Sequence, residues 1–448
     1  MVGAIPDARP VAPKGREDGH LGGASPRVSR SVLLVLVFCA VYLVCSNWLM
    51  MRLGFLNQLD GVVFSHPDSR GYLAVAQYIA GKTSSVAAIH VGLRPFLFPL
   101  FLCSASVVGI KGFVVLQQVL NVSTIALTFQ SVKGLTGSLS LALVGMILVA
   151  SNLTFTFAAL HAISETLSVF LVAAFMLMLS RSVTSEGLSY RLCGLALLSC
   201  AVCVKGIFLP FLVLYAILLG IELVRTGALK QSLGWLLLAA LPVGTQLLFS
   251  SVAAGTASIS ISGSSNFSTR FFPAVYGYWK NNEFAHYKGP VASEAKQRHP
   301  ELRGQLGFVL EHPLQTAKAT KLLLMDNLLS GSSLVIFPPA AISDVHLSKL
   351  LYAASERVNM VLAFAHLIAA VTIAGLLWVG QERHQARFLV LASALVGSII
   401  GLSVLTYAQG DRIVLAALPA WAALYPTLVG WGFSALWARR SGASVVSG

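Results

Sequence analysis

The feature that most constrains this chain is an apolar run, "SVLLVLVFCAVYLVCSNWLMM" at residues 31–51, with nine further apolar stretches after it. A helix needs roughly 20 apolar residues to cross about 30 Å of hydrocarbon. By that measure, spans are expected near 31–51, 112–131, 137–157, 164–181, 191–204, 206–223, 231–252, 357–379, 387–406 and 412–436. The charge deficit points the same way. Only 11% of the 448 residues are charged, 56% are hydrophobic, and the mean hydropathy is +0.78. A soluble domain carries charge on about a quarter of its residues. The expected fold class is therefore an all-α polytopic membrane protein with about ten transmembrane helices.

The net charge of +14 has a direct explanation in cytoplasmic loops, which collect Lys and Arg. Nucleic acid is not an expected partner, because the basic residues are scattered among spans instead of gathered on one face. The six cysteines (39, 45, 103, 193, 200 and 203) all lie in apolar segments. Cys200 and Cys203 have thiol-pair spacing, but no second pair completes a zinc site, so all six read as small buried hydrophobes. Residues 1–30, rich in Pro, Gly and Arg, read as a disordered basic cytoplasmic tail, and 437–448 as a second cytoplasmic tail. The first apolar run is too long for a signal-peptide core and is expected to be retained.

Two segments are ambiguous. "RPFLFPLFLCSASVVGI" (94–110) is short and opens with two prolines, and "KLLLMDNLLSGSSLVIFPP" (321–339) carries Asp326, a glycine and two prolines. Charge bias separates crossing from lying flat. If neither crosses and the N-terminus is cytoplasmic, the basic loops at Lys133, 181–191, 225–230, 381–387 and 438–440 are all cytoplasmic. Both segments are therefore expected to be in-plane or re-entrant helices. The chain then divides into an N-terminal transmembrane module (31–252), a large extracytoplasmic loop (253–356) and C-terminal transmembrane helices (357–436). The first module contains an outer loop at 52–111.

The outer face carries the polar residues that need explaining. Asp68 opens an amphipathic run, "PDSRGYLAVAQYI", in the first outer loop. It or Ser69 is expected to cap that helix, and a partly desolvated Asp68, its pKa drawn upward, would also serve as a general base. Glu165 opens a span, either complementing the positive helix end or acting as a functional carboxylate at the membrane boundary. His161 and Asp60 lie at the same level, with His66 and His90 as weaker candidates. Arg412, ahead of the last span, reads as an ion-pair partner of Asp411 or as a phosphate-directed guanidinium. Loop cations including Arg270, Lys280, Lys288, Lys296, Arg298 and Lys318 suit an anionic ligand or anionic headgroups.

Taken in order, these motifs resemble the polytopic GT-C glycosyltransferases, the group that includes protein O-mannosyltransferases and aminoarabinose transferases of lipid A. In that pattern an Asp precedes a short helix with a Tyr, matched by Asp68 and Tyr72. A basic residue and prolines then lead into an apolar in-plane helix, matched by Arg94, Pro95 and Pro99. Glu165 stands where a second acid opens a later span, and Lys205 where an Arg is common. "GDRIVLAALPAW" is similar to the final stretch, placing Arg412. Ser69 follows Asp68 where the family often has a second acid.

The resemblance implies transfer of a sugar from a polyprenyl-phosphate donor to a hydroxyl of a glycan, lipid or protein, on the outer face of a bacterial plasma membrane. Asp68 would be the base, Glu165 an orienting group, and Tyr72, Arg94, His161, Lys205, Arg270 and Arg412 substrate-binding residues. No cofactor is required; some relatives use a divalent metal, but nothing here indicates one. Two rivals remain. A transporter or flippase predicts internal repeats and ionisable residues in mid-span. An O-antigen ligase or polymerase would rest on Arg303, His299 and His312 of the long loop.

Overall fold

The computed structural model describes residues 30–440 apart from 186, 286–288, 337, 379–382, 404, 406–411 and 413. The expected tails therefore lie outside the described residues except for Arg30 and 437–440, as do Lys288, Asp411 and part of the basic loop at 381–387. Every regular element among the described residues is helical.

The chain begins with α1 (Arg30–Arg52) and then lays down four short helices, α2 (Leu59–Val63), α3 (Pro67–Ile79), α4 (Ala88–Leu93) and α5 (Leu97–Cys103). The bundle follows as α6 (Ala105–Thr136), α7 (Leu139–Ala150), α8 (Leu153–Ala158), α9 (Glu165–Ser185), α10 (Leu188–Val202), α11 (Leu209–Arg225) and α12 (Leu229–Ala254). Next come α13 (Ser262–Asn266), α14 (Phe272–Asn281), α15 (Pro290–Arg298), α16 (Leu302–Glu311) and α17 (Pro313–Leu329). The chain closes with α18 (Val345–Trp378), α19 (Arg383–Ser403) and α20 (Leu418–Arg440).

Six helical segments among the described residues are long and apolar enough to cross a membrane: α1, α6, α9, residues 206–225 around α11, α12 and most of α19. α7 and α10 are apolar but run only 12 and 15 residues. The expected spans at 357–379 and 412–436 overlap α18, which begins earlier at Val345, and α20. The last helix starts at Leu418 and not at Arg412. A 3-10 turn over Val414–Ala417 precedes it, and Pro419 occupies its first turn, where a missing N–H costs nothing.

α9 is the central helix, with two thirds of its apolar window buried, whereas α1 and α12 are buried over less than a fifth of theirs. Their outer faces are apolar, with Leu36, Val44, Leu241 and Leu248 exposed. Such a surface belongs against lipid tails, since contiguous exposed apolar area of this kind is rare in water-soluble monomers.

The two ambiguous segments fold short. α5 has seven residues, about 10 Å of helix. α6 is broken at Gly109, whose φ of 72° and ψ of 171° only glycine adopts readily. That break separates Ala105–Val108 from the long apolar helix that follows. α17 stops at Leu329, so 321–339 is also no continuous crossing. Between α12 and α18 the chain winds into short helices around their own core of Phe272, Tyr276, Phe308 and Leu323, so the long loop is a small helical unit.

A buried polar scaffold fixes the turn before α9. Gln117 on α6 donates to the carbonyls of Ala159 at 3.1 Å and His161 at 3.0 Å. The Ala162 N–H donates to Val63 O at 2.8 Å. These bonds tie the turn into Glu165 to α6 and to α2. Replacing Gln117 with leucine leaves two buried carbonyls without that donor, a cost of about 1–3 kcal/mol. The variant should melt at a lower temperature in detergent with unchanged helix content; an unchanged melting temperature would show that the amide is not a support.

Candidate active site

α3 presents Asp68 because of what surrounds it locally. Pro67 takes the first helical position, where its fixed φ is favourable. The N-cap is therefore His66, whose Nδ1 accepts from the Asp68 N–H at 3.1 Å. This corrects the expectation that Asp68 or Ser69 caps the helix. With capping done by the imidazole, the Asp68 carboxylate is left to face its charged neighbours. Tyr72, Val75 and Ala76 form the buried stripe of α3, and Tyr72 donates to Ser164 Oγ at 2.8 Å.

Three cations and two carboxylates line one cavity of about 280 Å³. Arg94, at the end of α4, pairs with Asp68 Oδ1 and lies over the Tyr72 ring with its guanidinium carbon 4.9 Å from the centroid. Arg412 pairs with Asp68 Oδ2 through Nη2 and approaches Glu165 Oε1 to 3.0 Å through Nε. Lys205 Nζ stands 3.2 Å from the same Glu165 oxygen. Arg412 is 5% exposed and Glu165 2%, so this pairing takes place away from bulk water. Lys205 sits in extended backbone between α10 and the 3-10 turn Gly206–Phe208, where the expected interruption falls. Ser164, Pro210, Ser260, Asn266 and Leu402 add to the wall.

The electrostatics reverse one expectation. Burial alone would push the Asp68 carboxyl upward, but the guanidiniums of Arg412 and then Arg94 outweigh it and hold it well below the usual carboxylate range. The sequence reading expects partial desolvation to win; it does not, because two arginines from distant segments converge on the group. Burial, reinforced by Arg412, holds the His66 imidazole down at about 4. A neutral imidazole offers one lone pair, yet Arg412 Nη1 and the Asp68 N–H both approach it. The two donors compete for that one acceptor.

The remaining candidates sit apart from the cavity wall. His161 is fully buried, its Nδ1 3.2 Å from Val62 O and its ring 6.4 Å from that of His66, which makes it part of the scaffold behind the site. Arg270 ends the π-helical turn Phe267–Phe271 and is not among the residues lining the cavity. His299 and His312 pack against Phe308 in the core of the small helical unit. His66, a weak candidate from sequence, is central; the signal was its position directly before a proline that starts a helix. Among the described residues no group of three His, Cys, Asp or Glu side chains is placed to hold a metal ion.

No protein-family model matches this chain, and no curated protein sequence matches it.

Two outcomes follow from this electrostatic arrangement. His66 and His161 have folded pKa values near 4 and 3, below their ordinary 6.5. The unfolded chain therefore binds more protons as pH falls below 6.5, and stability drops from there toward pH 4. The ion-paired Asp68, whose pKa is also lowered, acts in the same direction, but its share is lost only within and below the usual carboxylate range. Thermal melts between pH 7.5 and 4.5 should show a decline beginning near 6.5; a flat profile would mean that the imidazoles are charged in the fold. Arg412→Ala leaves the buried Glu165 and the half-buried Asp68 without their shared partner, which should cost about 3–5 kcal/mol. A melting temperature equal to wild type would show that the charge cluster does not hold the fold.

Proposed function

We propose that the chain is a membrane glycosyltransferase of GT-C type, moving a sugar from a polyprenyl-phosphate donor to a hydroxyl of a glycan, lipid or protein. The observation that carries this reading is the meeting of Asp68 and Glu165 on one arginine, Arg412. Three cations against two carboxylates leave one positive charge toward the cavity, which suits a phosphate. The volume of about 280 Å³ fits the headgroup end of such a donor better than its whole length.

In this reading the acceptor oxygen attacks the anomeric carbon from the face opposite the phosphate. The bond from that carbon to the phosphate oxygen breaks, and its electron pair leaves with the phosphate. The acceptor proton passes to Asp68. Arg412, Arg94 and Lys205 neutralise the leaving charge. A carboxylate bound by two guanidiniums is a weak base, so donor binding has a second effect: its phosphate competes for Arg412 and Arg94 and loosens their hold on Asp68. Glu165 keeps Arg412 and Lys205 oriented throughout. About ten spans, with both carboxylates on the outer face of a bacterial plasma membrane, complete the proposal.

Each charged wall residue lies in a connection or at the start of a helix, not in mid-span, which favours this reading over a transporter. His299 and His312, both half-buried, have their rings packed against Phe308, Phe272 and Trp279, which engages them in the helical unit and disfavours a ligase centred on them. The test is reconstitution with a panel of polyprenyl-phosphate sugars. Asp68→Asn should lower transfer by about 10²–10⁴-fold while donor binding persists, and Glu165→Gln should weaken donor binding and transfer together. Full-rate transfer by Asp68→Asn would remove the base from the mechanism.

A further inference from the structure

A second cavity, of about 660 Å³, lies at the other end of the bundle and plays no part in the chemistry above. It forms where α9 ends, α10 begins, α11 ends and α19 begins. The carboxylate site sits at the opposite ends of these helices, and along α9 the rise from Glu165 to Leu179, Ser182 and Val183 puts roughly 20–27 Å between the two levels. Leu179, Leu218, Leu219, Val390 and Leu391 give the interior an aliphatic wall. The rim is basic, with Arg191, Arg225 and Arg387 set against one acid, Glu222.

The rim charges are unequally matched. Arg191 pairs closely with Glu222, and Tyr215 donates to the Arg191 carbonyl at 3.2 Å, so this arginine is a fixed part of the wall. Arg387 reaches the same Glu222 oxygen only at 3.5 Å, with its side chain 55% exposed. Arg225 has no ion pair or hydrogen bond through its side chain among the described residues. Among the described residues, one carboxylate therefore answers three guanidiniums, and two positive charges stand at the mouth of an aliphatic cleft.

We propose that this cleft is a binding site for an anionic glycerophospholipid. Its phosphate would lie between Arg225 and Arg387, with an acyl chain along Leu218, Leu219 and Val390. Two features select this occupant. Basic pockets between transmembrane helices favour anionic headgroups, and a soluble phosphate would leave the aliphatic wall facing water. The cleft also opens among exposed apolar side chains of α11, Leu214, Ile217 and Ile221, the kind of surface from which a lipid enters sideways. The proposal rests on the apolar helices and not on sugar transfer, so it stands or falls separately from the catalytic reading.

The experiment is native mass spectrometry of the full chain, stripped of lipid in detergent and titrated with phosphatidylglycerol, with phosphatidylcholine and glycerol phosphate as separate arms. Wild type should retain phosphatidylglycerol in preference to phosphatidylcholine, and glycerol phosphate should not displace it. Arg225→Gln and Arg387→Gln, both at exposed positions, should each weaken retention about five-fold. Leu218→Trp, which fills the cleft from an exposed position, should reduce retention with the charges intact. Equal retention of phosphatidylglycerol by wild type and the double arginine variant would overturn the proposal. So would displacement by glycerol phosphate at equal concentration, which would mark an anion site without a lipid.

Discussion

The molecule is organised around the guanidinium of Arg412. It reaches Asp68 across 344 positions of sequence and contacts Glu165 and His66 as well. Removing an arginine and two carboxylates from water is expensive, and only close pairing with further hydrogen bonds offsets it. Each member of the cluster is tolerable because the others are present. The segment ahead of α20, the first turn of α3 and the first turn of α9 are thereby held together at one end of the bundle. Arg94 and Lys205 extend the cluster to α4 and to the break after α10.

Around that cluster, uncharged polar groups do the positioning. Gln117, Ser164, Tyr72 and the Val63 carbonyl connect the turn at 159–164 to α6, α3 and α2. Gln246 on α12 accepts from the Phe96 N–H at 2.8 Å, and Leu97 N–H donates to Cys203 O at 3.1 Å, so α5 is docked at both the α12 and α10 sides. In a low-dielectric interior each of these bonds is strong when made and costly when broken. The carboxylates thus rest on a rigid frame although they belong to short connecting segments.

Much of this was legible in the sequence, for specific reasons. Apolar runs marked where helices lie, because apolar length follows bilayer thickness, but not their ends: 357–379 begins twelve residues into α18, and 137–157 runs across the break between α7 and α8. The prolines of 94–110 and the Lys205-Gly206 interruption marked real breaks. Glu165 and Arg412 could be picked out as charges opening spans and Asp68 as the acid of an amphipathic loop helix, while Arg94 and Lys205 stood out mainly through the family resemblance. What could not be read were relations between distant segments. That Arg412 meets Asp68 depends on how α20 packs against α6, α7 and α9, and this convergence sets the direction of the Asp68 pKa. The capping role passed to His66 through the placement of Pro67, a local signal that was present but outweighed by the stronger capping preference of aspartate. The folding of 253–312 into short helices was missed because α13 to α16 run only five to ten residues each, too short to show a clear period.

The break at Gly109 carries an implication for how the protein sits in its surroundings. Without it, Ala105–Thr136 would be one straight rod of 32 residues, nearly 50 Å long. That exceeds the hydrocarbon slab by half again, and an unbroken rod could fit only by leaning steeply or by thickening the lipid around it. The left-handed glycine turns Ala105–Val108 off that axis and leaves Ile110–Thr136, about 40 Å of rod. The mismatch is reduced by that much and no more, so the remaining helix still has to lean in a slab of about 30 Å, and its tilt sets where its two ends meet the lipid.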